Sequence, residues 1–330
     1  MSSRQMTTRL FAVLAAALAL LSAQPAVLHA STWTQLSPAA SPPARYYPAM
    51  AYDPVSKKIV LFGGFGDNGN LNDTWTFDGA NWTQVATSIA PPARNGAGMA
   101  FDRPSRKLVM FGGFNTNKFL HDTWVWDGAT STWTQVSMVH SPPHMTGAAL
   151  FTDPLTGSAM MFGGYNPNRR IPAFNVTRRW TGSSWKELHP HTIPIPRGWG
   201  TATLDPLRHN VVLTGGNGDT IRTDNTWIWD GTDWTWLTPT NQVPMFVGGG
   251  SAFDPGTHAV VLFGGFSDDG SGQTWSWNGT DWTPWTPANS PSAREGVGTS
   301  HDRASHQVIL FGGLTVDGVL MNETWQLVGH

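Results

Sequence analysis

Four arginines recur at one place in the sequence: Arg45, Arg94, Arg197 and Arg294 each stand eight residues before an aspartate. A guanidinium offers a planar fork of N–H donors that grips a carboxylate or phosphate through two parallel hydrogen bonds, so several converging on one opening would select an oxygen-rich ligand. The competing reading is structural, each arginine pairing with a neighbouring carbonyl or aspartate. Two copies of the same stretch lack the arginine, one with His144 or Met145 in its place and one with Phe246. A second cationic group lies between them: Arg169, Arg170, Arg178 and Arg179, then His189, His191 and Trp199, with His140 and His144 upstream. General acid–base work needs a proton donor and acceptor beside the groups that hold a substrate. The nearest candidates are Glu295, adjoining Arg294, and His144.

Metal chemistry is poorly supported. His140, His144, His189 and His191 could give imidazoles to zinc or copper, but their His-x-x-x-His and His-x-His spacings lie on loops without a nearby carboxylate. Asp67-Asn68-Gly69-Asn70 and Asp268-Asp269-Gly270 lack the spacing and terminal Glu of a calcium loop and read as solvated turns. The absence of cysteine excludes disulfides, thiolate metal sites and Cys nucleophiles. No metal or cofactor is expected.

The elements that must hold these side chains come from a repeat. The 330 residues include 36 Gly, 24 Pro and 18 Trp, a composition that suits a turn-rich β protein. A diglycine ends six apolar runs, at Gly63-Gly64, Gly112-Gly113, Gly163-Gly164, Gly215-Gly216, Gly264-Gly265 and Gly312-Gly313, spaced 48 to 52 residues apart. Each run, such as Ile59-Val60-Leu61-Phe62, has the unbroken apolar character of a strand buried on both faces. Before it lies a small-residue strand ending in Asp. After it come a Thr-Trp-x-aromatic strand, a tight Asp/Asn-Gly turn and a Trp-led strand. These four strands are labelled a, b, c and d. Fifteen of the 18 tryptophans fall at repeat positions, which makes them packing residues, while Trp199, Trp236 and Trp285 fall outside.

A four-stranded unit of this length with a diglycine and spaced aromatics resembles the kelch repeat. The resemblance implies an all-β fold, a six-bladed kelch-type β-propeller with blade cores at about 45–86, 94–137, 144–188, 197–238, 246–286 and 294–328 plus 31–37. The last copy stops after strand c, and Ser31 to Pro38 reads as the missing d strand, so the N-terminal strand should close the last blade. The same fold is shared by the galactose oxidase central domain and by sialic acid mutarotases. Copper-radical oxidase chemistry depends on a Tyr–Cys crosslink, which a chain without cysteine cannot make.

Residues 1–30 carry Arg4 and Arg9, an apolar run from Leu10 to Leu21 and small residues at Ala23 and Ala30. That is the layout of a signal peptide, cleaved after either alanine, and it predicts a secreted protein, extracellular or periplasmic, with no membrane span. Its removal leaves 18 basic against 22 acidic side chains, which argues against nucleic acid as a partner. A monomer is expected.

In an antiparallel blade each connection reverses direction, so the d/a and b/c loops share one face and the a/b and c/d turns share the other. Length variation concentrates on the first face, where function is expected. Strand a is innermost in a propeller, so the recurrent arginines should ring the channel mouth there. Kelch adaptor propellers, by resemblance, bind acidic peptides through arginines at comparable places. The expected site comprises Arg45, Arg94, Arg197, Arg294, Arg178, Arg169, Arg170, Trp199, His144, His189 and His191. The expected function is a binding module for an anionic or polar ligand, whether carbohydrate, acidic peptide or envelope partner. The alternative is an isomerase acting on a sialic acid-like sugar.

Overall fold

A computed structural model describes residues 31–218, 222–267 and 272–328. The expected signal segment and the Asp268-Asp269-Gly270 turn lie outside these residues. Six antiparallel four-stranded sheets follow one another, and strand a of each packs against strand a of the next, the sixth returning to the first. Blade 1 is Ala49–Asp53, Lys58–Phe62, Thr74–Phe77 and Trp82–Val85. Blades 2 to 5 repeat it from Gly98 to Trp285. Blade 6 takes Gly298–Asp302, Gln307–Phe311 and Thr324–Val328 from the end of the chain and Thr32–Leu36 from its beginning. Thr32 pairs with Val328 and Leu36 with Thr324, so the predicted closure is present.

Strand b lies between two neighbouring blades, which explains its continuous apolar run: Ile59, Val60, Leu61 and Phe62 are all buried. The blades adhere through six clusters of this kind. In one of them Val60 and Phe62 of blade 1 meet Trp126 and Trp133 of blade 2. The strand-d indoles in these dry walls are all matched. Each strand-d Trp donates its Nε1 hydrogen to the Thr that opens strand c of the preceding blade: Trp82 to Thr324, Trp133 to Thr74, Trp185 to Thr123, Trp234 to Thr177, Trp282 to Thr226 and Trp33 to Thr274, at 2.8–3.1 Å. The threonine of the Thr-Trp motif is therefore an acceptor between blades.

The diglycine has a similar cause. The second glycine of each blade donates its N–H to the residue at the arginine position of the next, as Gly64 does to Arg94, Gly113 to Met145 and Gly313 to Arg45. The first glycine comes so close that a Cβ on Gly63 would stand 2.6 Å from the Arg94 carbonyl oxygen, and its φ of +64° also excludes most side chains.

Candidate functional site

The four recurrent arginines do not ring the channel mouth. Arg45, Arg94, Arg197 and Arg294 are 0–1% exposed. Arg45 donates to both carboxylate oxygens of Asp73 at 2.6 and 2.8 Å and to the carbonyls of Gly63 and Pro43. Arg94 repeats this with Asp122, Gly112 and Pro92. Arg294 binds Glu323 and the Gly312 carbonyl. Arg197 has a neutral partner, Asn225 Oδ1 at 2.6 Å, and burial lowers its pKa to about 9. These side chains clamp the d/a loop onto the diglycine and the end of the b/c loop, and their donors are used inside the protein. The anion-gripping ring expected from the sequence is corrected to a structural staple.

The sequence held a signal for this that the reading above missed. Where the first position is Arg, the residue before Thr-Trp is Asp73, Asp122, Asn225 or Glu323; where it is Met145 or Phe246, that residue is Val176 or Gln273. The same acceptors bind the strand-c indoles, as Asp73 does Trp75 and Asp122 does Trp124. Blade 3 has lost the whole device together, and Arg178 stands where the indole would need that acceptor. Arg178 is itself buried and bonded through Nη2 to Glu187 at 3.1 Å across strands c and d, so it is a packing residue and does not reach the loop face.

What does occupy the axis lies two residues after the staple. Tyr47, Gly96, Gly147, Trp199, Gly248 and Gly296 all adopt positive φ, between 51° and 70°. Their backbones form a closed circuit in which each N–H donates to the carbonyl of the preceding blade: Gly96 to Tyr47, Gly147 to Gly96, Trp199 to Gly147, Gly248 to Trp199, Gly296 to Gly248 and Tyr47 to Gly296, at 2.6–3.0 Å. Four members are glycine, as this conformation favours. Tyr47 and Trp199 are bulky exceptions, a backbone cost of about 1–2 kcal/mol each. They belong to blades 1 and 4, directly opposite, yet their rings meet with centroids 4.4 Å apart. Side chains from opposite blades can touch only by crossing the axis, so the two rings cap the channel.

Glycine elsewhere in the circuit makes room for them. A Cβ on Gly147 would stand 2.6 Å from the Trp199 indole, and one on Gly248 would collide with the Tyr47 hydroxyl. Below the cap a cavity of about 120 Å³ is lined by Tyr47, Trp199, Pro48, Ala97 and Val297. Tyr47 Oη donates to Glu295 Oε2 at 2.8 Å, and burial with the neighbouring carboxylate raises the phenol's pKa well above its usual value. Tyr46 packs on Tyr47 and Phe65, and Asn95 donates to Asn70 Oδ1 at 2.6 Å, at the end of the turn that begins at Asp67. Phe65 and Phe266 stay part-exposed on the same face, at 36% and 46%.

The structure brings Trp199 and Glu295 together around Tyr47, which the sequence reading did not single out. Its signal was available: four of the six copies have glycine there, and only Tyr47 and Trp199 depart. His144 is exposed, its ring tilted against that of His121 with centroids 3.8 Å apart, and is bonded through Nδ1 to the Phe119 carbonyl. It sits on the d/a loop opposite Glu295, and no described contact joins the two. Arg169 and Arg170 are exposed on the b/c loop of blade 3, Arg169 lying 5.4 Å over the Phe174 ring. His189 and His191 are exposed on the d/a loop entering blade 4. Among the described residues no three His, Asp or Glu side chains come together as a metal site would need, and no helix is long and apolar enough to cross a membrane.

Comparison with known proteins agrees with this architecture. A family model described as the KLHDC2/KLHL20/DRC7 Kelch-repeats domain matches residues 26–181. The chain is a kelch-repeat β-propeller. Among solved structures, the kelch propeller is similar to one titled "Structure of YjhT", with a TM-score of 0.68 and 17% sequence identity over 87% of this chain and 95% of that one. At that identity the likeness is one of fold. No curated protein matches the kelch propeller in sequence.

Proposed function

We propose that this kelch propeller is a secreted binding module whose d/a and b/c face takes a polar ligand of carbohydrate type at the axial cap. The observation that carries the reading is the pair Tyr47 and Trp199, held in a disfavoured backbone conformation where four equivalent positions are glycine. Strain kept at two of six copies marks a place selected for something other than folding. Aromatic rings accept the apolar faces of sugars, while Glu295 and the Asn70–Asn95 pair offer hydrogen bonds at their edge. Arg169 and Arg170 add exposed cations on the same face for an acidic sugar or peptide segment.

Titration with N-acetylglucosamine, galactose, sialic acid and an Asp/Glu-rich peptide, followed by tryptophan fluorescence, should find a ligand. Trp199→Gly should weaken it about tenfold or more while leaving the melting transition near that of the wild type. Unchanged affinity in that variant defeats the assignment. Export is tested by sequencing the mature N-terminus, expected at Ser31 or Gln24.

The Tyr47–Glu295 hydrogen bond favours one second reading, a sugar isomerase. Glu295 takes the proton of the anomeric hydroxyl as Tyr47 gives its own to the ring oxygen and the ring C–O bond breaks; reclosure on the other face reverses both transfers. NMR of sialic acid anomerisation decides it. Acceleration that is lost in Tyr47→Phe and Glu295→Gln supports the enzyme, and a rate equal to the uncatalysed one removes it.

A further inference from the structure

The other end of the axis is built differently. On the face of the a/b turns the channel opens into a chamber of about 450 Å³, walled by the strand-a residues of all six blades. The residue after the capping aspartate is Pro54, Pro154, Pro206 and Pro255 in four copies, and Arg103 and Arg303 in the other two. These two blades flank blade 1, and both arginines line the chamber together with Tyr52, Thr152 and His301.

Neither guanidinium has a hydrogen-bond or ion-pair partner among the described residues, unlike the four stapled arginines on the opposite face. Among the described residues no acidic side chain lines the chamber. The aspartates of these turns spend their oxygens on local donors: Asp53 accepts from Val55 and Ser56, Asp102 from Ser105 and Ala159, and Asp302 from Ala304 and Ser305. His301 Nε2 is buried without a partner. Burial, and after it the charge of Arg103 on the same chamber wall, lower the pKa of Arg303. An uncompensated pair of cations at the mouth of a cavity with hydroxyl-bearing walls is what a small oxyanion relieves.

We infer that this chamber is a second binding site, on the a/b-turn face, for a small organic anion whose carboxylate or phosphate is held by Arg103 and Arg303. A guanidinium binds either group through the same two parallel hydrogen bonds. The six-carbon sugar acids and sugar phosphates are of a size that the chamber admits. This site is separate from the aromatic cap and does not depend on what the cap binds.

Calorimetry with glucuronate, glucose 6-phosphate and neutral glucose tests it. Glucuronate, glucose 6-phosphate or both should bind more tightly than glucose, and the stronger of the two shows which anionic group the site takes. The double variant Arg103→Gln plus Arg303→Gln should weaken that anion about tenfold or more while the melting transition stays in place. Trp199→Gly should leave it unchanged. Anions that bind no better than glucose, an unaltered affinity in the arginine variant, or a loss in Trp199→Gly alone would each overturn the inference. Failure of the cap to bind any sugar would not touch it.

Discussion

The indole N–H of Trp33 donates to Thr274 Oγ1 at 3.1 Å, joining residues 241 apart in the sequence and fastening the strand Thr32–Leu36 to the wall of blade 5. Trp33 is fully buried and packs edge-on against Phe263. Replacing it by Ala should cost about 3–5 kcal/mol, the usual loss for a buried indole. Thr274→Val, which removes only the acceptor, should cost about 1–2 kcal/mol. Denaturant melts of the two variants check the ordering, and deletion of residues 31–38 should be worse than either.

Arg197 is the one stapled arginine with a neutral partner among the four described. Asn225→Asp would supply the carboxylate that Arg45 and Arg94 already have. We expect a gain of about 1 kcal/mol, or roughly 2 °C in the melting temperature for a chain of this size. A lower melting temperature would show that the amide's N–H is needed in place.

At position 199 two truncations should differ in an unusual direction. Both Trp199→Gly and Trp199→Ala lose the packing on Tyr47, but only Ala keeps a side chain at φ 64°. Gly should therefore be the more stable by about 1 kcal/mol, the reverse of the order in a regular strand. Gly96→Ala, whose Cβ would stand 2.5 Å from the indole, should destabilise by about 1–3 kcal/mol and displace the cap. Urea titrations measure all three.

His301 gives stability a pH dependence whose sign is fixed. Burial first, then the nearby Arg303, lowers its pKa to about 4. The unfolded chain titrates near the ordinary value of about 6.5, so between these two limits the unfolded state binds a proton that the folded state does not. Stability is complete above about pH 6.5 and falls as the pH drops toward 4, by on the order of 1–2 kcal/mol for a partly solvated ring. His301→Phe should flatten that part of the profile relative to wild type. Parallel slopes in the two proteins would refute it.

The ring was legible in the sequence because its causes are local and repeated. Diglycines, Thr-Trp pairs and Asp-led turns recur in register, and Ser31 to Pro38 supplied the missing strand. The site was less legible because charge is a poor guide to exposure when its partner lies elsewhere in the repeat. Arg45 and Asp73 are 28 residues apart, and reading the arginine alone suggested a ligand where the aspartate already sat. Tyr47 escaped because it has no unusual chemistry. Its mark is the glycine that four of the six copies carry at that place, and the backbone, alike in all six, shows why an aromatic there is out of place.

A chain of hydrogen bonds ordinarily has ends, and helices and sheets unravel from them. The circuit through Tyr47, Gly96, Gly147, Trp199, Gly248 and Gly296 has none: every donor and every acceptor in it is satisfied by a neighbour, and each bond polarises the next around the loop. Such a loop cannot fray residue by residue. It also counts, because a ring of five or seven blades would leave Tyr47 and Trp199 no longer facing each other across a diameter, and the lid they form would not meet.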